Sequence, residues 1–464
     1  MPTAAVGMFF RENSSMATLR GHGTRYTGTE TALKHVKRCS QRVVKHFVAA
    51  SLAFAAWLVI GQALIGAEET APAPRRHVTA KPVVTVKPII TTSTEPIALD
   101  ASVASATASG TTPFDVSKAA APASDLEAKF FADAADGQLD EFTPLGAALV
   151  ASGVTDPKAL ADYEQKAAKL VEEIRRTDRC NAGQRALVEA VFEYMHFHLL
   201  RGGYHIDNTD LRDTLDQGRF NCVTASILFN YLTNALGVEC RGLAMPGHAM
   251  SRVMLAKGPL DIETTCPNWF LLLANAKSPA EIKTVPVGTS TVVPDRSKVQ
   301  EVTPCQMAAM IYYNHGVDLL AQKRFAAAAV ANAKALRLDP QNATARGNLL
   351  ATLNNWSIDL GSREQFTEAV NLLRQGLLIE PKYDAFAQNY VHVHHQWVDS
   401  LRRTGRYDEA LEILSRAVAE MPDQQYLRRA QSEVSEQLAK AISSQHTSNA
   451  APSPQETQPA SVSN

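Results

Sequence analysis

One spacing constrains this chain more than any other feature. Phe325, Phe366 and Tyr407 recur every 41 residues, as do Ala328, Ala369 and Ala410 and the prolines Pro340, Pro381 and Pro422. Self-similarity at a fixed period marks stacked units, each too small to bury its apolar face alone. Each proline closes a helix, because proline cannot continue one. Residues 301–443 therefore read as an all-α repeat array, with a capping helix from Gln424 to about Ile442. The polar end, 444–464, has too little apolar surface to pack and reads as disordered.

A chain of 464 residues is too long for one ordinary domain. Residues 47–67, FVAASLAFAAWLVIGQALIGA, carry no charge and are long enough to cross a bilayer as a helix. A basic segment, 1–46, precedes them and Glu68-Glu69 follows, which orients the N-terminus to the cytoplasm and the body outside. The run reads either as a transmembrane anchor in the cell membrane or as a signal peptide cut near Ile65-Gly66-Ala67, giving a secreted or periplasmic body. Residues 68–124, rich in Pro, Thr and Ala, read as a disordered stalk. Cys180, Cys222, Cys240, Cys266 and Cys305 follow, an odd count that in an oxidising compartment suggests one free thiol and up to two disulfides.

Other function classes receive no support. Net charge is -1, so no general field attracts nucleic acid. No Gly-rich phosphate loop is present and the cysteines lack zinc-site spacing, so neither cofactor nor metal is expected. His392, His394 and His395 crowd one repeat helix, with too few further ligands for a metal.

The domain over 125–300 begins with helices. Thr155-Asp156-Pro157 offers a cap and a first-turn proline, and Leu160, Tyr163, Ala167, Leu170, Val171 and Ile174 keep helical spacing. A second helix is expected over 182–200, and a third after Cys222, closed near Gly237. Strand-like runs VECRGLAM, HAMSRVMLA and LDIETT come next. Helices followed by a small antiparallel sheet define an α+β fold.

Cys222 stands where that third helix begins. First-turn N–H groups favour a thiolate there and can face a developing oxyanion. His248, in PGHAMSR, starts a strand and can take and return a proton. An acid must orient the imidazole, and LDIETT offers Asp261 and Glu263. The two are two residues apart, so strand alternation puts both on one face and does not choose between them.

From DTLDQGRFNCVTASILFNYLTNALGVECRGLAMPGHAMSRV to LDIETT the chain resembles the core of the transglutaminase-like superfamily of papain-type thiol enzymes, in a bacterial branch with tetratricopeptide repeats behind the core. The motifs RFAAAA, QFTEAV and RYDEAL resemble the second helix of such repeats. Their usual period is 34, so this array carries seven extra residues, almost two helical turns, which a longer first helix absorbs. The resemblance implies Cys222 as nucleophile, His248 as general base and Glu263 as the acid, where the family more often has Asp. Val223 stands where animal transglutaminases have Trp, which points away from cross-linking. The implied activity is hydrolysis or acyl transfer at amide bonds of a protein or peptide substrate. The repeats would bind a protein partner and the N-terminal helix the membrane. If the core were inactive, a membrane-tethered scaffold acting through its repeats would remain.

Overall fold

The computed structural model describes residues 114–449, apart from 178, 180–181, 277–280, 283–284, 288–289 and 293–295. The apolar run 47–67 and Cys180 lie outside the described residues. Among the described residues no helix is long and apolar enough to cross a membrane. The fold is a helix-rich α+β core followed by an all-helical array.

Five helices lead into the core: α1 (Val116–Ala119), α2 (Asp125–Asp133), α3 (Pro144–Ala151), α4 (Pro157–Arg175) and α5 (Gln184–Tyr194), which continues as a π-helical turn, Met195–Leu199. Ser124, Thr143 and Asp156 cap α2, α3 and α4 by accepting from first-turn N–H groups, and Pro144 and Pro157 occupy the tolerant first positions. The helix expected over 182–200 thus changes winding at Met195. Next, β1 (Gly203–Tyr204) pairs in parallel with β2 (Arg219–Phe220), with α6 (Leu211–Gln217) between them. Gly218 joins α6 to β2 with φ +68°, and a Cβ there would lie 2.1 Å from the Leu199 carbonyl oxygen. Only glycine fits, and this turn aims the chain into α7 (Cys222–Ala235).

Beyond α7 lie β3 (Cys240–Met245), β4 (His248–Leu255), β5 (Gly258–Ile262), α8 (Trp269–Asn275), a hairpin of β6 (Val285–Val287) and β7 (Ser290–Val292), and β8 (Gln300–Val302). The sheet order is β5-β4-β3-β8, with antiparallel neighbours throughout. Helix α7 packs on β3 and β4. Its buried residues Ile227, Leu228, Phe229 and Leu232 form the centre of the core.

The array consists of α9 (Pro304–Ala321) with α10 (Phe325–Leu338), α11 (Ala343–Ser362) with α12 (Phe366–Ile379), and α13 (Asp384–Arg403) with α14 (Tyr407–Glu420), followed by α15 (Gln425–Asn449). First helices have 18, 20 and 20 residues and second helices 14 each, so the extra length sits in the first helix. The period is visible in the backbone. Lys323, Glu364 and Gly405 stand at equivalent turns with φ 58°, 61° and 73°. It also recurs in packing, since Phe325 stacks on Trp356 at 6.5 Å between centroids and Phe366 on Trp397 at 5.9 Å. Gly376, which looks like a defect in the repeat pattern, makes room for the buried Phe386 ring, which a Cβ would meet at 2.4 Å.

The first repeat is fastened to the core. Buried Glu127 of α2 accepts from Lys334 Nζ at 2.7 Å and from Tyr312 Oη at 2.6 Å. The end of the expected stalk is folded too. The Gln375 amide accepts the Val116 N–H at 2.9 Å and donates to the Phe114 carbonyl at 2.7 Å, while the Phe114 ring meets Trp356 edge-on. Residues 114–120 therefore lie against the repeats, which alanine- and proline-rich composition did not foretell.

Candidate active site

Helix α7 begins with a tight cap. Asn221 Oδ1 accepts from the N–H groups of Val223 and Thr224, both at 3.0 Å, and the Asn221 N–H donates back to Thr224 Oγ1 at 3.1 Å. This reciprocal capping box fixes the first turn. It uses the N–H groups of residues 223 and 224 and leaves that of Cys222 outside the cap. Asn221 Nδ2 is held by Thr209 Oγ1 at 3.3 Å, and Val223 points into the core. The partly exposed Cys222 thiol thus stands at the positive end of a 14-residue helix.

Folding brings His248 to this thiol. His248 starts β4 straight after the turn at Gly247 and is 8% exposed. Its Nε2 bonds Glu263 Oε2 at 2.6 Å, so Nδ1 is the nitrogen left for the thiol. Burial alone would depress the imidazole pKa. Hydrogen bonds donated to Cys222 and Glu263, with the charges of those groups, outweigh burial and raise it to about 10. The ring is therefore an imidazolium at neutral pH.

The two candidate acids part company. Asp261 lies in β5 directly across from Arg252 and takes its guanidinium in two bonds, 2.7 and 3.0 Å. Glu301 joins Arg252 at 2.9 Å, so Asp261 belongs to a charged network on the outer face of the sheet. Strand alternation fails to relate the two carboxylates because β5 ends at Ile262. The turn that follows carries Glu263 inward, where it is fully buried. Its Oε1 accepts from the Thr265 N–H at 3.2 Å and from Thr265 Oγ1 at 2.6 Å. Thr264 Oγ1 bonds Ser226 Oγ at 2.9 Å, one turn along α7 from Cys222, which fastens the Glu263 turn to the helix that Cys222 begins. Trp269 Nε1 donates to the Asp261 carbonyl at 3.1 Å and closes the turn from the other side.

Several neighbours escaped the sequence reading. Ser226 had a signal, since it lies four residues beyond Cys222 and so shares its helix face. Tyr204 had none, because a two-residue parallel pairing leaves no periodicity. Burial, and then the Cys222 and Glu263 charges, push the Tyr204 phenol above its ordinary range. From the array, Tyr313 of α9 is likewise pushed up, by burial and then by the Cys222 charge. His196, near the Thr264 backbone, is depressed by burial to about 4 and is neutral at pH 7.

The remaining thiols correct the disulfide expectation. Cys222, Cys240, Cys266 and Cys305 are all free. Cys240, Cys266 and Cys305 are buried in the core, and burial pushes their pKa values up, to about 11 for Cys305. Among the described residues no group of three or more His, Cys, Asp and Glu is placed to hold a metal. His394 Nδ1 bonds the Tyr390 carbonyl and His395 faces Asp399. A cavity of about 540 Å³ opens at the other end of α7, lined by Ile227, Tyr231, Cys240, Val302 and Met307, and Cys222 takes no part in it.

Comparison with known families agrees with the core. Residues 158–270 match the model of the transglutaminase-like superfamily, from the first residues of α4 to the start of α8. The match contains Cys222, His248 and Glu263 and does not extend to the helical array. No curated protein and no solved structure matches the chain. Residues 158–270 are thus a transglutaminase-like domain, a fold on which thiol hydrolases and acyltransferases are built.

Proposed function

We propose that the chain is a thiol hydrolase or acyltransferase acting on amide bonds of proteins or peptides, with Cys222 as nucleophile, His248 as acid–base and Glu263 as the group that orients the imidazole. The observation that carries this reading is the buried His248–Glu263 pair at 2.6 Å, next to the thiol at the tip of α7. In the first step the Cys222 sulfur bonds to the amide carbonyl carbon, and the carbonyl π electrons move to oxygen. As the oxygen regains its double bond, the C–N bond breaks and imidazolium Nδ1 protonates the departing nitrogen. Water or an amine then attacks the thioester, giving its proton to Nδ1 while the sulfur leaves. Glu263 keeps its charge throughout and holds Nε2–H.

The helical array, read as tetratricopeptide-type repeats, would bind a protein partner or the substrate chain. The run 47–67 would anchor the body to the cell membrane, or be removed on export. An electrophilic peptide amide, such as a peptidyl chloroacetamide, tests the chemistry. Intact mass should show one adduct on Cys222, absent in Cys222→Ala and formed about 100-fold more slowly in His248→Ala. Equal labelling of wild type and His248→Ala would leave only a membrane-tethered scaffold.

A further inference from the structure

We propose that Tyr204 is a catalytic residue of this site: its phenol O–H, together with the Cys222 backbone N–H, donates to the oxygen that becomes negative when Cys222 adds to an amide carbonyl. The inference rests on the amide-attack reading above and extends it to the second donor that the reading requires. A tetrahedral oxyanion needs preorganised donors on it. The cap of α7 consumes the N–H groups of Val223 and Thr224, so the first turn contributes the Cys222 N–H alone. The buried Asn221 amide nitrogen is turned to Thr209 Oγ1 at 3.3 Å. A second donor from another element would complete the pair.

Tyr204 is placed to be that donor. Its strand pairs in parallel with β2, with Tyr204 opposite Phe220, two residues before the nucleophile. The His205 N–H donates to the Phe220 carbonyl at 2.8 Å, and the Tyr204 and Phe220 rings meet edge-on at 5.9 Å. Backbone and ring are thus tied to the strand that delivers Cys222. The hydroxyl, however, is not used. Tyr163, Tyr194, Tyr312 and Tyr390 each donate to a carboxylate. Tyr204 is half-buried, and its hydroxyl makes no hydrogen bond to the described residues and is not sealed from solvent, so it is open to an incoming group. Burial, and then the charges on Cys222 and Glu263, push the phenol above its ordinary range, so it serves as a neutral donor. During attack the S–C bond forms, the carbonyl π pair becomes an oxygen lone pair, and the phenol proton is shared without being transferred.

Two small probes separate this role from a structural one in the full chain. Acylation of Cys222 by 4-nitrophenyl acetate builds an oxyanion, whereas alkylation by iodoacetamide displaces iodide at a saturated carbon and builds none. In Tyr204→Phe, which keeps the ring on Phe220, acylation should slow roughly 10- to 100-fold while alkylation stays within about twofold. An unchanged melting temperature shows that the variant is folded. If acylation is unchanged, or if both rates fall together, the assignment to Tyr204 is wrong. Adducts of both probes that persist in Cys222→Ala would instead sink the amide-attack reading itself.

Discussion

Glu263 and Asp261 show how two identical charges two residues apart acquire different work. Asp261 sits within the strand and answers Arg252 across the sheet. Glu263 sits just past the strand's end, where backbone and hydroxyl of Thr265 hold one oxygen and His248 takes the other. Glu263→Gln should slow iodoacetamide alkylation of Cys222 roughly tenfold or more, because the imidazole loses both its orienting acceptor and the charge that keeps it protonated. Asp261→Asn should leave that rate unchanged and cost about 1 kcal/mol of stability, as for a partly exposed ion pair. Peptide mapping after timed alkylation reads the rate and urea unfolding the stability. Comparable slowing in both variants would refute the division of labour. The sequence limited the acid to these two positions but did not choose between them, because alternation assumes a strand that continues and this one stops at Ile262.

At the scale of elements, the 41-residue period is legible in sequence because it is written in packing residues. It repeats in the stacked pairs Phe325–Trp356 and Phe366–Trp397 and in the turn conformations. Lys323 and Glu364 hold a left-handed backbone for which the third repeat uses Gly405, and such a conformation costs an L-residue about 1–2 kcal/mol. Glu364→Gly should therefore stabilise the protein and Gly405→Ala destabilise it, each by roughly 1 kcal/mol in urea unfolding. Shifts of the opposite sign would show that side-chain contacts, not backbone strain, govern these turns. The clamp of Gln375 on residues 114–116 was not legible. Its contacts span more than 250 positions and depend on one amide meeting bare backbone, which no local pattern announces.

Across the whole molecule, core and array share one buried charge cluster, and burial and then the Cys222 charge push up the Tyr313 phenol of the first repeat. The first repeat thus packs against the candidate active site. Lys334→Ala leaves Glu127 buried without its cation and should cost about 3–5 kcal/mol. Lys334→Met in a Glu127→Gln background should recover much of that loss. A thermal scan showing less than about 1 kcal/mol lost in the single variant would mean that the cluster does not join the two parts.

The proposed chemistry requires a sulfur, an imidazole and a carboxylate to meet at the N-terminus of α7. Its clearest signature is the ionisation of His248, which folding raises from 6.5 to about 10 despite burial. Stability from this group is complete below about pH 6.5 and is lost as pH rises through about 10. An NMR titration of the His248 ring in the full chain reads it directly. The ring should stay an imidazolium through neutral pH and lose its proton near pH 10, with a lower midpoint in Cys222→Ala and in Glu263→Gln. A ring that titrates near 6.5, with the same midpoint in both variants, would contradict it.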